Sequence, residues 1–113
     1  MSRWLSLLCL GLLAGLLLAC EAKPLGPEKA DYAGHWRGDG VDLVIEAEGR
    51  VKFERKHGAG VVKISGPIAV WVEDDFVVGV MVQKTRFDVT EPPHEVDGRW
   101  RMTVDGVALV RDE

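Results

Sequence analysis

Cysteine is almost absent from this chain: of 113 residues only Cys9 and Cys20 are cysteines, and residues 21 to 113 contain none. That part of the chain therefore has no disulfide, and its stability must come from core packing. Positive charge is also scarce. Apart from Arg3, all charges follow Cys20, and there 13 basic against 18 acidic residues leave a net charge of −5, which argues against a nucleic-acid partner.

The patterns that mark catalytic and metal centres are missing as well. His35, His57 and His94 have no His-x-His, Glu-x-x-His or cysteine pair beside them, so we expect no metal site. Ser65, the only serine after Cys20, lacks the strand-turn-helix context of a nucleophile elbow. We therefore predict no catalytic residue, no cofactor and no enzyme activity.

Clustered charges are interpreted as solvated surface. Glu73-Asp74-Asp75 is predicted to be a turn, because three consecutive carboxylates cannot all face one ion from an extended strand. Glu54, Asp88 and Asp105 could supply paired carboxylates, but no spacing selects a pair. A basic cluster is predicted to lie on the solvated face of a hairpin, with contact to anionic lipid headgroups or glycan phosphates as the alternative. Its members are Arg50, Lys52, Arg55, Lys56 and His57.

An apolar run precedes Cys20. It extends from Leu7 to Ala19, the length of a signal-peptide hydrophobic region rather than of a membrane span. Counted from Trp4 it has sixteen residues, still at or below the minimum of about 17 for a spanning helix. We predict a cleaved signal peptide over residues 1–19, and the alternative is an uncleaved N-terminal anchor helix.

The end of this run, Leu17-Leu18-Ala19-Cys20, resembles the lipobox of bacterial lipoprotein precursors. The resemblance implies cleavage before Cys20, a diacylglyceryl group on its sulfur, and acylation of the new amino terminus by a fatty acid such as palmitate. Two or more acyl chains anchor a protein stably, so the membrane becomes a partner through lipidated Cys20. In enterobacterial lipoproteins an Asp after the cysteine favours retention in the inner membrane, so Glu21 at this position predicts the outer membrane. The expected location is the bacterial cell envelope, facing the periplasm.

Residues 20–31 are predicted to form a lipid-anchored flexible tether, because prolines and a glycine alternate with charges there. The folded domain is predicted over residues 32–113, where apolar residues alternate with polar ones. Val41, Leu43 and Ile45 share one strand face, for example. Asp105-Gly106 is typical of a type I′ hairpin turn.

The alternation gives about eight short strands with short connections, which favour an antiparallel up-and-down meander. The predicted fold is all-β, a closed or partly open lipocalin-like barrel, with a two-layer sandwich as the alternative. Gly66-Pro67 should bend or interrupt a strand. Phe76 to Val82 should be a strand covered on both faces or lining a cavity. Glu91 to His94 should be a loop.

Gly34-His35-Trp36 resembles the first-strand motif of lipocalins and related calycin barrels. In such folds the tryptophan plugs one end of the barrel and a late basic residue stacks over it. The resemblance therefore implies a structural role in barrel closure for Trp36, with Arg111 as its partner. The chain is much shorter than a typical lipocalin, so only the fold and not ligand binding is carried over.

Trp71 lies between Val70 and Val72, so one of these two alternating sets faces outward or into a cavity; an outward Trp71 would mark a binding surface. We expect a non-enzymatic interaction module of the envelope, with another envelope protein or cell-wall material as its partner. One alternative is a carrier of a small hydrophobic ligand, which a lumen filled by Phe53, Phe76, Phe87 and Met102 would exclude. The other is an inhibitor of a cell-wall hydrolase such as lysozyme.

Overall fold

The computed structural model describes residues 22–112, so the predicted signal peptide and Cys20 lie outside the described residues. A 3₁₀ helix, Pro27–Tyr32, is followed by strands only. The strands are β1 (Gly34–Gly38), β2 (Val41–Ile45), β3 (Arg50–His57), β4 (Gly60–Val72), β5 (Asp75–Val80), β6 (Gln83–Phe87), β7 (Val89–Val96), β8 (Arg99–Val104) and β9 (Val107–Arg111). Within residues 22–112 no helix is long and apolar enough to cross a membrane.

All nine strands belong to one antiparallel sheet in the order β6-β5-β4-β3-β2-β1-β9-β8-β7. Strands that follow each other in the chain pair with each other, except β6 and β7, which are the two edges of the sheet. In addition, β1 pairs with β9. The sheet curls into a half-barrel. The predicted all-β meander is therefore confirmed in its partly open form, with nine strands instead of about eight.

The concave side of the sheet holds the hydrophobic core. Phe53 stacks edge-on against Phe87 with 4.9 Å between the ring centroids, and Phe76 stacks on Phe87 at 5.1 Å. Trp36 and Leu43 are fully buried, and every member of the core is at most 9% exposed. The core comprises Tyr32, Trp36, Val41, Leu43, Ile45, Val51, Phe53, Ile68, Phe76, Val78, Phe87, Val89, Met102, Val104 and Leu109.

The sequence predicts that two prolines interrupt the chain after Glu91, but strand β7 continues through them. The segment predicted to be a loop, Glu91 to His94, belongs to β7, and the pairing with β8 shifts register on both sides of Glu91. Because β7 is an edge of the sheet, only one of its sides forms ladder hydrogen bonds, and both prolines lie within the register shift between Glu91 and His94. The register shifts absorb the geometry that proline imposes.

Gly66-Pro67 does not interrupt β4, but β4 changes partner there. Its first part, up to Pro67, pairs with β3, and its last part, from Ile68, pairs with β5. A bulge between Ile68 and Val70 accompanies the change. The bend expected at the proline is thus a corner in a continuous strand.

The strand predicted from Phe76 to Val82 is shorter and less covered than expected. Strand β5 ends at Val80, and Met81 has a φ of 55°, which starts a tight turn. Met81 and Val82 are 85% and 96% exposed. Their apolar character predicted burial, whereas the hairpin turn carries them beyond the edge of the core. Asp105-Gly106 is a turn as predicted, with φ values of 49° and 79°.

The described part of the predicted tether packs against the sheet. The Leu25 N–H donates to the Ala47 carbonyl at 2.9 Å, and Leu25 packs against the core. Pro27 lies in the first turn of the 3₁₀ helix, where its missing N–H has no helical acceptor to lose. Tyr32, at the end of this helix, is 3% exposed. The described part of this segment thus contacts the sheet through one backbone hydrogen bond and a few apolar side chains.

Candidate functional site

The structure brings Trp36 and Arg111 together. Trp36 is fully buried in β1, and its indole N–H donates to the Tyr32 carbonyl at 2.9 Å. The guanidinium carbon of Arg111 lies 5.7 Å from the Trp36 ring centroid and 4.9 Å from that of Trp100. Strands β1 and β9 pair at this level, with Trp36 opposite Arg111. Arg111 therefore packs against two indoles, and Trp100 is the partner that the sequence analysis missed.

Gly34 makes room for this arginine. It has a φ of 143°, and a Cβ on it would lie 2.5 Å from Cδ of Arg111. A side chain at this position would be strained and would displace the arginine from the Trp36 ring. The glycine and the tryptophan of the Gly34-His35-Trp36 motif thus act differently: Gly34 leaves space for Arg111, and Trp36 packs in the core.

Trp71 is half-buried and faces the core side of β4. Its ring centroid is 4.8 Å from that of Tyr32 and 5.6 Å from that of Phe76. The Lys29 ammonium lies 4.6 Å from the Trp71 centroid and donates to the Glu73 carbonyl at 2.7 Å. The bulge after Ile68 puts Ile68 and Trp71 on one face, so Val70 and Val72 point outward instead.

Two polar clusters lie on the outside of the sheet. His35 hydrogen bonds through Nε2 to Asp42, and its Nδ1 is 3.8 Å from Asp112. Arg37 lies 3.2 Å from Asp112 and 3.5 Å from Asp42. Among residues 22–112 no group of three His, Cys, Asp or Glu is arranged to hold a metal ion. This network is suited to tying β1, β2 and the end of β9 together.

The other cluster ties β5, β6 and β7. Arg86 donates to Asp75 at 2.7 Å, and the Val89 N–H donates to the second oxygen of Asp75 at 2.6 Å. The hydrogen bond from Arg86 and then that from Val89 lower the pKa of Asp75, and the same ion pair raises the pKa of Arg86. Glu73 and Asp74 form the turn predicted for this acidic stretch. Asp75, predicted to belong to the same turn, is instead the first residue of β5, and its carboxylate joins β5 to Arg86 and Val89.

A groove opens where β4 and β5 separate. Beyond the Ile68–Val78 pair the β3–β4 and β5–β6 hairpins diverge, and a groove of about 570 Å³ lies between them. Gly66 and Gly79 stand at its base, where a Cβ on Gly66 would be 3.5 Å from the Gly79 Cα. Its walls include Lys63, Ile64, Ser65, Val80, Val82, Lys84 and Thr85.

The ends of the two hairpins carry apolar side chains into solvent. Val80 is 52% exposed, and Met81 and Val82 beyond it are almost fully exposed. Val61 and Val62 are exposed on the neighbouring hairpin. We call this region, residues 55–65 and 79–85 with the groove between them, the twin-hairpin surface. Exposed aliphatic side chains at the ends of two adjacent hairpins are typical of an interaction surface.

Charge is distributed unevenly around this surface. Residues 50–72 and 76–87 contain seven of the 14 Lys and Arg of the chain but one of its 18 Asp and Glu, namely Glu54. Lys63 lies 3.4 Å from that carboxylate. The two hairpins together are therefore basic in a chain with a net charge of −4. The basic cluster seen in the sequence forms one part of this basic region. The stretch from Phe76 to Phe87, which has no acidic residue, forms the other part, and the sequence analysis did not consider it.

Comparisons with known proteins return no relative. No protein-family model, no curated protein sequence and no solved structure matches this chain.

Proposed function

We propose that this chain is a non-enzymatic binding module of the bacterial cell envelope, anchored to a membrane through lipidated Cys20, and that it contacts its partner through the twin-hairpin surface. The observation that carries the proposal is the exposure of Met81 and Val82, at 85% and 96%, beside a basic groove. Solvent exposure of these two side chains gains nothing for the fold, whereas a partner covering them would recover their burial energy, about 1.5–3 kcal/mol per side chain.

The position of the chain's first described residues supports a partner in the aqueous compartment. A Cβ on Gly49 would meet the Lys23 backbone, and Lys23 also lies near Ile68 and Ala69. Ile68 and Gly60 are eight residues apart on β4, or about 26 Å at about 3.3 Å per residue. A lipid on Cys20, three residues before Lys23, would therefore hold the Ile68 end of β4 nearer to the membrane than the ends of the two hairpins. The twin-hairpin surface would point towards an envelope protein or cell-wall material.

Core packing weighs against the carrier alternative. Phe53, Phe76, Phe87 and Met102 are each at most 6% exposed and fill the concave side of the sheet. An inhibitor of a basic hydrolase such as lysozyme would need a negatively charged contact surface. The twin-hairpin surface is basic, however, and like charges would repel such a target there.

Site-specific photo-crosslinking in living cells tests the proposal. A photoreactive amino acid replaces Val82 in the full chain, expressed in a Gram-negative host, and a matched chain carries it at Asp97, an exposed turn residue between β7 and β8. We expect one discrete adduct from position 82, none from position 97, and loss of the adduct when Met81 is also changed to Ser. Equal labelling from both positions would contradict the proposal.

Membrane anchoring has its own test. Intact mass and fractionation compare the chain with a Cys20→Ala variant. We expect a mature mass that begins at Cys20 and includes acyl chains, with the variant lacking both the acyl mass and membrane association. An unmodified soluble product from the unaltered chain would refute the anchoring and leave the binding surface to be tested on its own.

A further inference from the structure

One side of β4 has no strand partner along the groove. Strand β4 pairs with β3 from Gly60 to Pro67, but it pairs with β5 only from Ile68 onward. The Ile68 N–H donates to the Gly49 carbonyl at 2.9 Å, on the β3 side. Backbone groups alternate sides along an antiparallel strand, so those of Val61, Lys63 and Ser65 point away from β3 and into the groove.

These three residues present a free strand edge beside an apolar wall. Unpaired N–H and C=O groups on an edge are a template for an added strand. Strand β5 does not supply it, because the pairing of β5 with β4 ends at the Ile68–Val78 pair. Gly79 adds to the separation: with a φ of 131° it lets the β5–β6 hairpin fold so tightly that a Cβ would lie 2.0 Å from the Gln83 carbonyl oxygen.

The side chains beside this edge sort into two faces. Ile64 is paired with Phe53 and so lies on the core face, and Val62 and Val80 extend that face outward. Lys63 lies on the opposite face, as does Lys84, which pairs with Gly79. One face of the groove is therefore aliphatic and the other is basic. Cross-strand neighbours share a face, so an added strand would match both faces if apolar residues alternated with acidic ones.

We infer that the groove binds an extended peptide segment of a partner protein as an antiparallel strand added to β4. Its aliphatic side chains lie against Val62, Ile64 and Val80, and its acidic side chains lie towards Lys63 and Lys84. The segment spans the three free residues Val61, Lys63 and Ser65, which corresponds to about five or six residues of peptide. This inference rests on the proposed function and specifies the chemistry of the partner at the same surface.

Binding of model peptides to the full chain, purified in nonionic detergent, tests the inference by fluorescence anisotropy. The probe is a fluorescein-labelled hexapeptide in which glutamate and valine alternate. Two controls are a hexapeptide alternating lysine and valine, and a peptide of three glutamates followed by three valines. We expect saturable binding of the first peptide alone, with affinity at least tenfold above either control. Equal binding of the two glutamate peptides would mean charge attraction without strand addition and would overturn the inference.

N-methylation of the peptide tests the strand itself without changing the protein. In an antiparallel addition the peptide residues that bond to Val61, Lys63 and Ser65 share their outer face, so these residues are the glutamates. We expect N-methyl groups on the glutamates to weaken binding at least tenfold, whereas N-methyl groups on the valines leave it within about twofold. No loss from either methylated peptide, or the same loss from both, would overturn the inference.

A charge-reversal variant tests the basic face. In K63E/K84E we expect the glutamate peptide to lose at least tenfold in affinity and the lysine peptide to gain. R99E/R101E, which makes the same charge change on β8, should leave both affinities unchanged. If crosslinks form at position 82 in cells but no peptide binds selectively, the inference fails and the proposed function stands. Selective peptide binding without crosslinks in cells would support the inference and contradict the proposed function.

Discussion

Gly34 and Arg111 occupy the same space: a Cβ on Gly34 would lie 2.5 Å from Cδ of Arg111. The arginine can therefore reach the Trp36 ring only because residue 34 has no side chain. Trp36 and Arg111 are opposite each other in the β1–β9 pair, which joins the first and last strands of the sheet. Stability of this junction should thus depend on both residues together.

We expect Gly34→Ala to lower the free energy of unfolding by about 1–3 kcal/mol, because alanine is strained at this φ and pushes the arginine off the indole. Urea denaturation of the single variants and of G34A/R111A forms a double-mutant cycle. Part of the cost of Gly34→Ala should disappear once Arg111 is removed. Strict additivity would show that the clash with Arg111 has no energetic weight.

Tyr32 should titrate far from the ordinary value. Burial, and then the nearby Asp74 and Asp75 carboxylates, raise its pKa to about 12. The chain has a single tyrosine, so the absorbance of tyrosinate near 295 nm reports on this residue alone. We expect a midpoint close to pH 12 in the folded chain and about 10 in urea.

The sign of the stability effect follows from that shift. A raised pKa means that the stabilisation is fully present below the unfolded value of about 10 and is lost as the pH rises through the folded value. Tyr32→Phe removes this ionisation, so the unaltered chain should lose stability relative to the variant between pH 10 and pH 12. Parallel stability curves across this range would contradict the burial of the tyrosine hydroxyl.

The lowered pKa of Asp75 predicts that stability depends on pH in the opposite direction. Arg86 and the Val89 N–H lower its pKa, so its stabilising effect is present above the unfolded value of about 3.9 and is lost as the pH falls through the folded value. We expect Asp75→Asn to lower the urea midpoint at pH 7, and this effect should shrink as the pH falls below the unfolded value of about 3.9. Asp88→Asn is the matched control, because Asp88 lies 3.3 Å from the same arginine but is more exposed, and its effect should be smaller.

Lys29 should hold the 3₁₀ helix on the domain. Its ammonium lies over both the Trp71 and Tyr32 rings and donates to the Glu73 carbonyl. We expect Lys29→Ala to cost about 1 kcal/mol and to speed hydrogen exchange in residues 27–32, with the remaining strands unchanged. Lys23→Ala, an exposed lysine of the same segment, is the control and should leave exchange unaltered.

Sequence patterns predicted the strands well, but they predicted less well which side chains of the strands and turns are buried. Alternation located Leu43 and Phe53 on the core face, because a strand with one buried face must repeat every two residues. The same reasoning failed at Met81 and Val82, where apolar character alone cannot distinguish a covered strand from a hairpin end. It also left open which way Trp71 faces, because one bulge after Ile68 inverts the alternation and leaves no trace in composition.

Local chemistry is what the sequence by itself determined: short antiparallel strands, a core without disulfides, a tight turn at Asp105-Gly106, and the apolar run that ends at Cys20. These features depend on neighbouring residues, whose spacing along the chain sets their geometry. The tertiary structure alone decided that Arg111 meets two indoles, that β4 leaves β3 for β5 at Pro67, and that basic residues distant in sequence border one apolar groove. Those relationships join strands through their register, which no local pattern of residues encodes.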